Sequence, residues 1–98
     1  MNTMITVKVE SVFAANVLTN STRTASDELR QKVGMGRKTG KVIMTIAEAN
    51  ELSKSLETYA KTTKHEPSAK MARSIAFGCR QKTARVCNAI KAAQAQKA

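Results

Sequence analysis

Residues 67–98, PSAKMARSIAFGCRQKTARVCNAIKAAQAQKA, contain seven Lys/Arg (Lys70, Arg73, Arg80, Lys82, Arg85, Lys91 and Lys97) and not one carboxylate. Proline is tolerated in the first turn of a helix, where its missing N–H costs nothing, so Pro67 reads as a start. No second proline follows, and Gly78 weakens a helix by only about 1 kcal/mol relative to alanine. Alanine and unbranched side chains fill the rest, which predicts a helix of about eight turns. Winding it at ~100° per residue gathers Met71, Ile75, Cys79, Val86, Ile90 and Ala93 on one side. Arg73, Arg80 and Lys91 fall opposite Met71, with Lys70 and Phe77 beside them. The helix is expected to bury one stripe and to show a positive one.

Immediately upstream, Thr45-Ile-Ala-Glu48 has the spacing of a capping box: the threonine hydroxyl bonds the N3 amide while the glutamate reaches back. The helix it opens sets Ala49, Leu52, Leu56, Tyr59 and Thr63 on one stripe. Glu51/Lys54 and Glu57/Lys61 are spaced as outer-face pairs worth a few tenths of a kcal/mol each. His65-Glu66-Pro67 breaks this helix, with a trans Glu66–Pro67 bond as the default. A short link between two long amphipathic helices predicts an antiparallel hairpin.

The N-terminal half reads differently. In Met4 to Glu10, Ile5, Val7 and Val9 alternate with Thr6, Lys8 and Glu10, a period-two strand with one buried face. Ser11 to Asn20 suits either a short helix or a continuing edge strand. Residues 20–24 are hydroxyl-rich and read as a loop. Thr24 with Asp27, or Ser26 alone, can cap a short helix through Leu29 to Val33, with Gly34 as its stop. Residues 34–41 then form a loop with three glycines and three cations (Arg37, Lys38, Lys41), and Lys41 to Thr45 is a second, more apolar and hence more central strand. No internal repeat is visible, and residues 92–98 are expected to fray. The predicted fold is α+β: a small N-terminal β-sheet of two or three strands packed with a C-terminal antiparallel helical hairpin. It forms one domain over residues 1–98, with a strand- and loop-rich half (1–45) and two long helices (46–98).

Ninety-eight residues with three aromatics (Phe13, Tyr59, Phe77) make a modest core, since short chains bury little and aromatics carry the largest burial terms. Such a fold is lean, or is completed by a partner or a second copy; a homodimer is one option. The formal charge of +10 favours polyanions or acidic proteins as partners. It is concentrated in residues 29–47 and 67–98, which suggests a face; a uniformly solvated, lysine-rich surface is the plainer alternative.

No stretch reaches the ~18 apolar residues of a transmembrane helix, and no membrane partner is expected. Met1 to Ile5 lacks the basic and apolar regions of a secretory signal. Cys79 and Cys87, about 12 Å apart along one helix, cannot pair and are expected to be reduced, as in the cytoplasm.

The glycine-rich stretch departs from a phosphate-binding P-loop, because Val42 follows Lys41 and a strand, not a helix, comes next. One histidine and two cysteines cannot build a structural zinc set. No Cys–His pair or carboxylate couple is apparent, so no catalytic, cofactor-binding or metal residues are assigned and the chain reads as a non-enzyme. Candidate partner-binding residues are Lys70, Arg73, Phe77, Arg80 and Lys91 on the last helix, with Arg37, Lys38 and Lys41 upstream. Phe77 either packs against the N-terminal half or stands as an aromatic anchor ringed by cations, as at interface hot spots and base-stacking surfaces.

Val42-Ile-Met-Thr-Ile-Ala-Glu-Ala-Asn-Glu-Leu, within residues 42–63, resembles small early or accessory proteins of bacteriophages: an apolar strand, a Thr-x-x-Glu cap, then an amphipathic helix. The resemblance implies a host-takeover inhibitor that binds a nucleic-acid-processing complex of the bacterial host, such as a recombination nuclease or CRISPR defence machinery, in the cytoplasm. The alternative is direct, weakly sequence-specific binding of DNA or RNA by a regulatory or architectural protein.

Overall fold

The computed structural model describes residues 4–96; Lys97 and residues 1–3, on which part of the signal-sequence reading rests, lie outside the described residues. The elements are β1 (Met4–Lys8), α1 (Val12–Ser21), α2 (Asp27–Thr39), β2 (Lys41–Thr45), α3 (Ile46–Thr62) and α4 (Glu66–Gln96). The fold is α+β, as expected, but its N-terminal half is not strand and loop: it is strand–helix–helix. The same order then repeats in β2, α3 and α4, a repeat the residues themselves do not display. β1 and β2 form a two-stranded antiparallel sheet with Thr6 opposite Ile43 at its centre. Each half lends one strand and two helices to a single core, with α2 packed along β2 and α4 along β1.

Both strands bury alternate residues. Ile5, Val7, Val42 and Met44 face the helices, and Met4, Thr6, Lys8, Lys41 and Ile43 face outward. β2 is therefore no central strand: Ile43 is 44% exposed, and the strand alternates as β1 does. β1 ends at Lys8, two residues short of the expected end, although the Val9 amide still donates to the Gly40 carbonyl at 2.8 Å. That bond fixes the alternation of the ladder, so the backbone groups of Met4, Thr6, Lys8, Lys41, Ile43 and Thr45 point to the sheet edges. Three of these positions are engaged there. Lys82 donates to the Thr6 carbonyl at 2.5 Å, Thr39 Oγ1 to the Lys41 carbonyl at 3.0 Å, and the Thr45 amide to Glu48 Oε1 at 2.8 Å.

Ser11 to Asn20 resolves as helix: Ser11 caps α1 by accepting from the Ala14 amide at 3.0 Å. The larger correction is α2. Ser26 caps it, Asp27 and Glu28 occupy its first turn and Arg37 and Lys38 its last, an order that complements the helix dipole. The helix passes through Gly34, the expected stop, and through most of the expected glycine loop, ending at Gly40 with φ of 84°. Gly36 is present for a packing reason. A Cβ there would lie 2.5 Å from Val42 Cγ2 and 3.3 Å from the Lys41 carbonyl oxygen, so α2 approaches β2 backbone to side chain.

The Thr45–Glu48 capping box is formed as expected. Ala49, Leu52 and Leu56 of α3 are buried, joined by Ser53 and Ala60. The hairpin with α4 also forms, with a trans Glu66–Pro67 bond, but the inward face of α4 is rotated from the expected one. Ala69, Ala72, Ala76, Cys79 and Thr83 are buried, while Met71, Ile75 and Val86 are only half-buried and Ile90 and Ala93 are exposed. Small side chains let two helix backbones approach closely, and the larger apolar residues then flank the contact. Cys79 and Cys87 are free thiols. A 31-residue helix is about 46 Å long, close to the 50 Å length of the molecule. Its residues 88–95 are exposed and remain helical, where fraying from residue 92 was expected.

Candidate nucleic-acid interface

The outer face of the β1–β2 ribbon is uncovered. Its side chains stand in three cross-strand rows, Met4 with Thr45, Thr6 with Ile43, and Lys8 with Lys41. All except the partly buried Thr45 are exposed. These are the non-hydrogen-bonded pairs of the ladder, in which facing side chains sit closest, with Cβ atoms about 4.5–5.5 Å apart. Lys8 and Lys41 are thus like charges held side by side. Among the described residues neither has an ion-pair partner, and the same holds for Lys38, in the last turn of α2. Arg37, beside it, donates to Thr19 Oγ1 at 3.2 Å. Lys82 extends from α4 to the β1 edge, where it lines a groove with Lys8 and the exposed Glu10. Arg37, Lys38 and Lys41, expected in a loop, are instead held by a helix end and a strand.

The predicted face of α4 is less freely positive than its residues suggest. Arg80 makes a bidentate pair with Glu57 of α3, Nε to Oε2 at 2.7 Å and Nη2 to Oε1 at 2.6 Å. This hydrogen bonding from Arg80 holds the Glu57 carboxyl below its ordinary range and raises the Arg80 guanidinium in turn. Arg73 reaches Glu66 at 3.2 Å. The expected Glu57/Lys61 and Glu51/Lys54 pairs give way to these longer-range partners: Glu51 accepts from the Ser26 hydroxyl at 2.7 Å and its amide at 3.2 Å. Lys70 and Lys91 are exposed. Phe77 does not pack inward; it is 65% exposed and lines a shallow groove of about 520 Å³ with Glu57, Lys61, Arg73 and Arg80.

Glu48 ties the ribbon to the helices. Burial alone would raise its pKa, but hydrogen bonds from Lys32 and from the Thr45 amide and hydroxyl outweigh it and hold the carboxyl low. Among the described residues no cluster of His, Cys, Asp and Glu is placed to hold a metal ion, and no helix is long and apolar enough to cross a membrane. Thr6, Lys8 and Ile43 were absent from the candidate residues. The alternation in Met4 to Glu10 already turned Thr6 and Lys8 outward; what was missing was the partner strand that sets Lys41 beside Lys8. No family model matches the chain, and no curated protein and no solved structure matches it either.

Proposed function

We propose that the chain is a non-enzymatic, nucleic-acid-binding protein of regulatory or architectural type, working in the cytoplasm of a bacterial host and gripping its target with the outer face of the ribbon. The observation that carries this reading is the exposed, unneutralised Lys8/Lys41 row. Like charges directly opposite each other destabilise a sheet, and a polyanion lying across them removes that penalty. The major groove of B-form DNA admits a two-stranded β-ribbon, whereas that of A-form RNA is too deep and narrow. Duplex DNA is therefore the favoured polymer. Lys38 and Arg37, at one end of the ribbon, are suited to flanking phosphates. Two phosphate contacts, from Lys38 and Arg37, give log K against log salt a slope of about −1.8. A titration of a short duplex between about 50 and 200 mM salt tests this. Exchanging Lys38 and Arg37 together for glutamine is expected to flatten that slope by about two, whereas exchanging Lys8 and Lys41 should weaken binding at every salt concentration. Absence of salt-dependent binding refutes the proposal.

A second reading, a phage-type inhibitor of a host nucleic-acid-processing complex, draws on the phage resemblance and on the exposed Phe77 in its groove. In that reading Phe77 anchors a protein partner and Lys70, Arg73, Arg80 and Lys91 rim it. Nuclease-treated bacterial lysate would then yield one stoichiometric complex with the intact chain and none with Phe77→Ala.

A further inference from the structure

We infer that the ribbon reads duplex DNA with a built-in direction, Lys8 and Lys41 addressing guanine at one end of the contacted segment and Ile43 and Met4 addressing thymine methyl groups toward the other. This rests on the ribbon reading above and adds a specificity to it. Rows two residues apart along a strand are about 6.7 Å apart, so three rows span about 13 Å. That is the rise of about four base-pair steps at 3.4 Å each.

A two-fold rotation through the Thr6/Ile43 pair exchanges the strands, carrying Met4 onto Lys41, Thr6 onto Ile43 and Lys8 onto Thr45. In a ribbon of two identical strands these positions would match, and the favoured site would be a palindrome. Here they differ in chemistry at every position. One end presents two ammonium groups; the centre and the other end present the Ile43 side chain, 44% exposed, and the Met4 thioether, 41% exposed. In the major groove, lysine donates to guanine O6 and N7, and apolar side chains contact the thymine C5-methyl. The ammonium end thus selects G·C, and the apolar end selects A·T with its methyl toward the protein. Because one chain supplies both strands, one molecule suffices for the site.

The test uses the full chain and duplexes enriched from a randomised pool, with base analogues at the enriched positions. Replacing guanine by 7-deazaguanine removes only the N7 acceptor, and replacing thymine by deoxyuridine removes only the methyl. Each is expected to weaken the intact chain about tenfold, the scale of a good base contact. The guanine effect should vanish in Lys8→Gln/Lys41→Gln, and the thymine effect in Met4→Gln/Ile43→Gln, which leaves no methyl group at either exposed position. A one-to-one complex on a non-palindromic site is the expected product. An enriched palindrome bound by two chains overturns the inference, and so does salt-dependent binding indifferent to both analogues, which leaves the ribbon as a phosphate-binding surface. No DNA binding at all overturns both readings.

Discussion

Two glycines in one helix, two residues apart, are expected to respond to the same substitution with opposite signs. Gly34→Ala removes the flexibility penalty of a mid-helix glycine, and a Cβ there meets nothing within 4 Å. It should stabilise the protein by about 1 kcal/mol. Gly36→Ala gains the same propensity but drives a methyl to 2.5 Å from Val42 Cγ2. Val42 is fully buried and short-chained, so it has nowhere to retreat. Overpacking of this kind costs about 1–3 kcal/mol, and the Lys41 carbonyl oxygen at 3.3 Å places the case toward the upper end. The net expectation is a loss of about 1–2 kcal/mol, so the variants should differ by about 2–3 kcal/mol. For a domain of this size that is about 10 °C in Tm. Thermal unfolding by circular dichroism at neutral pH, backed by urea titration, measures it. If both substitutions stabilise, α2 does not pass Gly36 against β2 as described; if both destabilise, the helix does not run through Gly34.

Three further outcomes follow from the packing. Glu48→Ala should cost about 1–2 kcal/mol at pH 7, by loss of the capping box and the Lys32 pair. Because the folded carboxyl titrates below its reference value of 4.5, that stabilisation is fully present above about pH 4.5 and is lost as the pH falls through the lowered folded value; the gap between wild type and variant should therefore narrow in acid, and a constant gap rejects the assignment. Ala72→Leu places a large side chain where the residue is fully buried on the α3–α4 contact face, and should lose about 3 kcal/mol in urea unfolding. Removal of residues 89–98 should change stability by less than about 1 kcal/mol, since residues 89–95 are exposed; a larger loss means that the end of α4 is covered in solution.

What could be read from the residues was what is local. The Thr45–Glu48 cap, the period-two pattern of β1 and the α3–α4 hairpin all rest on neighbours within a few positions, and all are present. α2 escaped because Gly34 and Gly36 carry the ordinary signature of a breaker. Only the approach of Val42, six positions beyond Gly36, reveals a glycine retained for closeness. In α4 depth runs against size, the small side chains lying deepest. Alanines at 69, 72 and 76 allow the tightest helix contact, so bulkier Met71 and Ile75 stand at its margins. The positive face lost Arg80 to Glu57, 23 residues away, and gained Lys8 through a strand pairing no local pattern encodes. Distant pairing, not propensity, decided where the unneutralised charge lies.

The engaged rims of the ribbon bear on how the protein behaves when concentrated. An incoming extended chain from a neighbour would have to evict Lys82 from the Thr6 carbonyl on one side. On the other it would meet the Thr39–Lys41 and Thr45–Glu48 bonds, leaving Ile43 as the one position of the β2 edge that neither bond touches. A short foothold of this kind is too small to seed stacking. Concentrated stocks should therefore resist fibril growth despite two short strands lying at the surface, and mutation of Lys82 should be the change that first lets such growth begin.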